Sequence, residues 1–127
     1  GDIQQTEAEL SRVSDLMAAV VQYAKTRPAF DGYKAAKYSR KYLAEHEAEL
    51  ADYRAAKATM AELLGGEKLP KMDVLKEKRR QLAARKKALY LEYRKAQQDM
   101  RELVAVKGSV DHLRGLTDSQ RNKEQAR

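Results

Sequence analysis

The chain has no cysteine and no tryptophan, and only one phenylalanine and two prolines among its 127 residues. Without a thiol there is no disulfide framework, no thiolate zinc site and no cysteine nucleophile, and an intracellular setting is permitted. No apolar run approaches the roughly 20 residues that span a bilayer, and no signal-peptide pattern opens the chain. A Gly-rich phosphate loop, a Ser-centred elbow, an HExxH pair and a paired acidic metal motif are all missing. His46 and His112, the only two histidines, stand 66 positions apart with no ligand-spaced neighbour, so they read as polar seam or surface residues. Tyr42, Tyr53, Tyr90 and Tyr93 sit on or beside apolar faces, where a large ring with a polar tip packs well, and none is set up as a nucleophile. No catalytic residue, metal ligand, cofactor or small-molecule substrate is expected.

Charge and helix-forming residues fill the space these absences leave. Charged residues make up 35% of the chain, mean hydropathy is −0.80 and the net charge is +7. A chain of this length can bury one modest core or form an elongated helical assembly, and its wealth of Ala, Leu, Glu, Lys and Arg favours the second. Gly1 is the residue a cleaved tag leaves behind, and the chain reads as an excised piece of a longer protein.

The apolar residues Ile3, Leu10, Val13, Met17, Val20 and Ala24 follow steps of three, four or seven and predict a helix over 3–26, stopped by Pro28. A short helix over 29–37 would bury Phe30 and Tyr33. Ser39 is the candidate N-cap for a third helix over 40–64. Its seam is Leu43, His46, Leu50, Tyr53, Lys57, Met60 and Leu64, and it ends at Gly65-Gly66. Pro70 suits the first turn of a last helix over 71–114. That helix has one heptad column of Leu75, Leu82, Leu89, Ala96, Leu103 and Val110 and another of Met72, Arg79, Lys86, Tyr93, Met100 and Lys107. At 1.5 Å per residue it would be roughly 65 Å long. Gly115 would close it, leaving 116–127 as a mobile tail too polar to bury itself. The expected fold is all-α: an elongated antiparallel helical bundle or coiled-coil hairpin in one domain over 1–115, with the last two helices paired across their short loop. The far end of the last helix, around Met100 to Val110, needs cover. The first and second helices are the nearest candidates, and a second copy of the chain is the competing one.

The stretch KEKRRQLAARKK, residues 76–87, sets seven bases against the single acid Glu77. On a helix these bases resolve into pairs seven residues apart. Arg79 and Lys86 lie in the seam, Lys78 and Arg85 flank it, and Arg80 and Lys87 face outward with Lys76 on their side. Two readings stand. The bases are solvated or pair with Glu49, Asp52 and Glu62 of an antiparallel neighbour, or they contact nucleic-acid phosphate. Four acids cannot neutralise seven bases, so about three positive charges remain to attract a polyanion in a salt-dependent way.

The ordered elements YAKTRPAFDGYKAA, YSRKYLAEHEAEL, AAKATMAELL, KLP, ALYLEYRKAQQDMREL and VKGSVDHL cover nearly the whole chain apart from its last dozen residues. In that order and spacing the chain resembles the C-terminal helical region of relaxase, or mobilisation nuclease, proteins of Gram-positive conjugative and integrative elements. Lys37 departs from the pattern, which has a glycine there. The resemblance implies a bacterial cytoplasmic setting and a part in plasmid or transposon transfer, in which the parent protein nicks one strand with a tyrosine and a histidine-bound metal in an N-terminal nuclease domain. None of that apparatus lies in this fragment, so no nucleophile or ligand carries over and the fragment is expected to be non-catalytic. Its implied tasks are to hold origin-of-transfer DNA through Lys76, Lys78, Arg79, Arg80, Arg85, Lys86 and Lys87, or to dock relaxosome or coupling proteins or another copy of itself.

Overall fold

The computed structural model describes the backbone of residues 1–125 and the side chains through residue 116. Within that range the chain is all-α, with α1 over Asp2–Ala35, α2 over Arg40–Glu45, α3 over Glu47–Leu64 and α4 over Met72–Gln125. It groups into two compact units, Gly1–Lys86 and Lys87–Arg127, with the boundary inside α4.

The first departure from expectation is that α1 does not stop at Pro28, and no separate helix forms over 29–37. An internal proline removes one amide donor and crowds the carbonyl four residues back, at a cost of roughly 3 kcal/mol. Contacts on either side of Pro28 offset it. The ring of Tyr53, buried on α3, stacks on Tyr23 with centroids 5.2 Å apart and on Phe30 at 4.4 Å, so one side chain holds both halves of the helix in line. Burial pushes the Tyr53 phenol above its ordinary value, and the neighbouring Tyr23 hydroxyl adds to the shift. The hydroxyl of buried Thr26 donates to the Gln22 carbonyl at 2.8 Å. The Tyr42 hydroxyl donates to the Ala29 carbonyl at 2.7 Å.

Tyr42 reaches that carbonyl because Gly32 has no side chain: a Cβ there would collide with the Tyr42 hydroxyl. The expected helix over 40–64 is broken at His46, whose φ of −122° interrupts it. The His46 amide donates to the Tyr42 carbonyl at 3.0 Å, and Nδ1 lies 3.0 Å from the same oxygen, an arrangement that suits the Nδ1-protonated tautomer. Its ring stacks on Tyr42 at 3.9 Å. Ser39 caps α2 as expected, accepting from the Tyr42 amide at 3.4 Å. Gly65 is the expected left-handed cap of α3, with φ 54°. Along α3 the seam holds except at Lys57, which is exposed, and Ala56 is buried in its place.

The bundle is antiparallel, with α1 as the common partner. Its contact with α3 is lined by small residues, Ala18 and Ala19 facing Ala55 and Ala56, and Arg12 donates to the Leu63 carbonyl at 3.0 Å where α3 ends. Leu75 and Leu82 of α4 join Val13, Leu16 and Met17 in one buried cluster, with Leu10, Val20, Met60, Leu63, Leu64 and Met72 packed around it. Lys76, Arg79, Arg80 and Ala83 border a cleft with Leu10 and Ser14 of α1.

Two further expectations change along α4. Gly108 and Gly115 both lie inside it, and the helix is described to Gln125 instead of closing at Gly115. An isolated helical glycine costs only about 1 kcal/mol relative to alanine, which neighbouring helix formers absorb. For the tail expected over 116–127, the side chains beyond 116 and residues 126–127 entirely lie outside the described residues. Within the second unit, Met100, Leu103, Val104, Val106 and Val110 are exposed, Leu103 at 64%.

If Tyr53 is what carries α1 through its proline, Tyr53→Ala should cost about 3 to 5 kcal/mol, as truncation of a buried aromatic does, and should in addition shed helix content after residue 27. Chemical denaturation with far-UV circular dichroism reads both effects. A loss under about 1 kcal/mol would show that α1 spans Pro28 unaided.

Candidate nucleic-acid interface

Residues 76–87 form an uninterrupted part of α4 because nearly all of them are strong helix formers: lysine, arginine, alanine, glutamine, glutamate and leucine. Leu82 turns inward, only 7% exposed, and this fixes the orientation of the rest. Lys76, Lys78, Arg79, Arg80 and Arg85 are exposed, while Lys86 is half-buried, in keeping with its seam position. Lys87 is also exposed and is the first residue of the second unit.

Arg80 does not stand open for a partner as the helical wheel suggested. Its Nε donates to Glu77 at 3.0 Å and a terminal nitrogen donates to the other carboxylate oxygen at 2.7 Å, a bidentate grip within one helical turn. Gln81 donates to the same carboxylate at 3.2 Å. The Arg80 hydrogen bonds hold the Glu77 carboxyl below its ordinary range, and Glu77 in turn raises the guanidinium. This pair is open to solvent and adds little to stability. Its effect is on charge, because it cancels one base of the seven.

The acids expected to neutralise the others lie elsewhere. Asp52 and Glu62 border a cleft with Asp15 and Gln22 between α1 and α3. On the basic stretch's own side, Glu9 of α1 shares a cleft with Lys78 and Arg12. Among the described residues, Lys76, Lys78, Arg79, Arg85, Lys86 and Lys87 form no ion pair within 4.0 Å. The carboxylate of α4 that neutralises is thus the one supplied locally, and the bulk of the positive charge faces solvent.

A second basic segment escaped the helical reading of the sequence. Residues 33–44, YKAAKYSRKYLA, contain four bases and no acid. They make the corner between α1 and α2, where Lys37 and Tyr38 both adopt positive φ, 55° and 58°. The run of bases without an acid was visible in the sequence, but periodicity assigned it to two helices and hid the corner. Elsewhere, Tyr93 is half exposed and accepts from Gln97 at 3.0 Å instead of packing on an apolar face. His112 is exposed. Among the described residues, no group of three or more potential metal ligands is assembled and no helix is long and apolar enough to cross a membrane.

No protein-family model, curated protein or solved structure matches this chain. The likeness to relaxases rests on the ordered motifs alone.

Replacing Glu77 by glutamine removes the charge that holds Arg80 and adds one net positive charge to this face. Duplex DNA binding, followed by fluorescence anisotropy at low salt, should tighten severalfold in Glu77→Gln. Unchanged affinity would place the α4 face outside any DNA contact.

Proposed function

We propose that this chain is a non-catalytic helical accessory segment of a relaxase acting in plasmid or transposon mobilisation, and that it holds origin-of-transfer DNA by its phosphates. The observation that carries this reading is the unneutralised basic face of α4: six of the seven bases over 76–87 have no ion-pair partner among the described residues. A rigid helix spaces such charges regularly, and phosphate contact of this kind releases condensed counterions without reading base sequence. The ordered sequence motifs supply the relaxase context. Nicking is assigned to a nuclease domain outside this sequence, so the segment adds affinity and residence time to a reaction performed elsewhere.

A second reading is favoured by the second unit. Met100, Leu103, Val104, Val106 and Val110 leave apolar surface open along α4. Apolar positions repeating at heptad spacing suit another helix, from a relaxosome or coupling protein or from a second copy of the chain. Sedimentation separates the cases: a concentration-independent monomer rules out self-association and leaves only a different partner.

The experiment for the main reading is duplex binding across a salt series. Lys78 and Arg85 lie one above the other, seven residues apart on α4. The double variant Lys78→Glu, Arg85→Glu should lose roughly tenfold or more in affinity at about 50 mM salt, and the slope of log K against log salt should flatten by about 2. Binding with an unaltered slope, or none detectable in the unmodified chain at low salt, would sink the proposal.

A further inference from the structure

We propose that the corner between α1 and α2 is a second site, one that takes an unpaired nucleobase of single-stranded nucleic acid on Tyr38 and its flanking phosphates on Lys34, Lys37, Arg40 and Lys41. The proposal does not depend on the α4 face.

Four aromatic rings form a ladder at this corner. His46 stacks on Tyr42 at 3.9 Å, Tyr42 stacks on Tyr33 at 5.9 Å, and Tyr38 meets Tyr33 edge-on at 5.2 Å. The inner rungs are held in place: Tyr42 is tied to the Ala29 carbonyl at 2.7 Å and seated over Gly32. Tyr38 ends the ladder and is 57% exposed. An aromatic ring left open to water at the end of a supported stack offers a flat face to a base, and every base has a matching face.

The backbone explains why Tyr38 cannot fold away. The Tyr38 amide donates to the Tyr33 carbonyl and the Lys37 amide to the Lys34 carbonyl, both at 2.9 Å, which is the paired bonding that closes a helix through a left-handed residue. Glycine is the usual occupant of that position, and here it is Lys37 with φ 55°. The turn therefore accepts strain and presents a positive charge beside the exposed ring. Lys34 lies over Phe30 at 5.8 Å, and all four bases are exposed. Glu47 shares a cleft with Arg40, and Asp31 already faces Arg27 at 4.0 Å. The local balance stays positive. Rings combined with bases bind single strands, whereas bases alone bind any polyanion.

The test uses the whole chain with labelled oligo(dT), oligo(U) and a duplex of equal length. Tyr38→Leu keeps an apolar contact with Tyr33 but cannot stack. It should weaken single-strand binding about tenfold and leave duplex binding unchanged. Tyr38→Trp should retain single-strand binding, and as the only tryptophan in the chain its emission should be quenched on saturation. If Tyr38→Leu melts early, that emission decides the matter alone. Equal Tyr38 dependence for oligo(dT) and oligo(U) identifies the base as the shared ligand, and dependence with one of them assigns the site to DNA or to RNA. In the Lys78→Glu, Arg85→Glu variant the Tyr38-dependent binding should survive, which separates failure of this site from failure of the α4 face. Wild-type single-strand affinity in Tyr38→Leu, or an unquenched Tyr38→Trp at saturation, would overturn the proposal.

Discussion

The grip of Tyr53 on both sides of Pro28 sets the length of α1, and the length of α1 sets everything packed on it. A helix ending at residue 26 would leave α3 with little to cover its first turns. Carried through to Ala35, α1 places Ala29 and Phe30 against α3 and delivers Tyr33 to the aromatic ladder at the corner. The proline penalty and the stacking gain are of similar size, so the arrangement depends on tertiary contact and not on helix propensity.

With α1 as common partner, the first unit uses two packing styles. Against α3 the facing residues are alanines, which let the helices approach closely. Against α4 they are leucines, valine and methionine, which hold it further off and surround Leu75 and Leu82. Along the edge of that buried seam, the same heptad that buries Leu82 lines up Lys78 and Arg85. The candidate phosphate-binding face is thus a direct product of core packing: burial of Leu82 orients Lys78 and Arg85.

Features with a local cause were legible in the sequence. Ser39 as a cap, Gly65 as a left-handed stop, Leu75 and Leu82 as buried seam and the all-α class each follow from a few adjacent residues. Features set by a distant contact or by a single side-chain rotamer were not: nothing near Pro28 announces Tyr53, and helical periodicity does not encode the local turns of His46 onto Tyr42 and of Arg80 onto Glu77. In the corner over 33–44, the charge imbalance was readable, but the left-handed pair that exposes Tyr38 was not.

The sequence separation between packed helices also bears on the order in which the chain assembles. Contacts between α1 and α3 close short stretches of chain at the corner, such as Phe30 with Tyr53, and extend from there like a zipper. Contacts between α1 and α4, such as those joining Val13 to Leu82, enclose almost the whole first unit. Chain entropy opposes the second set more than the first. That entropy difference is modest, and it favours closing the α1–α3 pair before α4 docks and orients its basic residues.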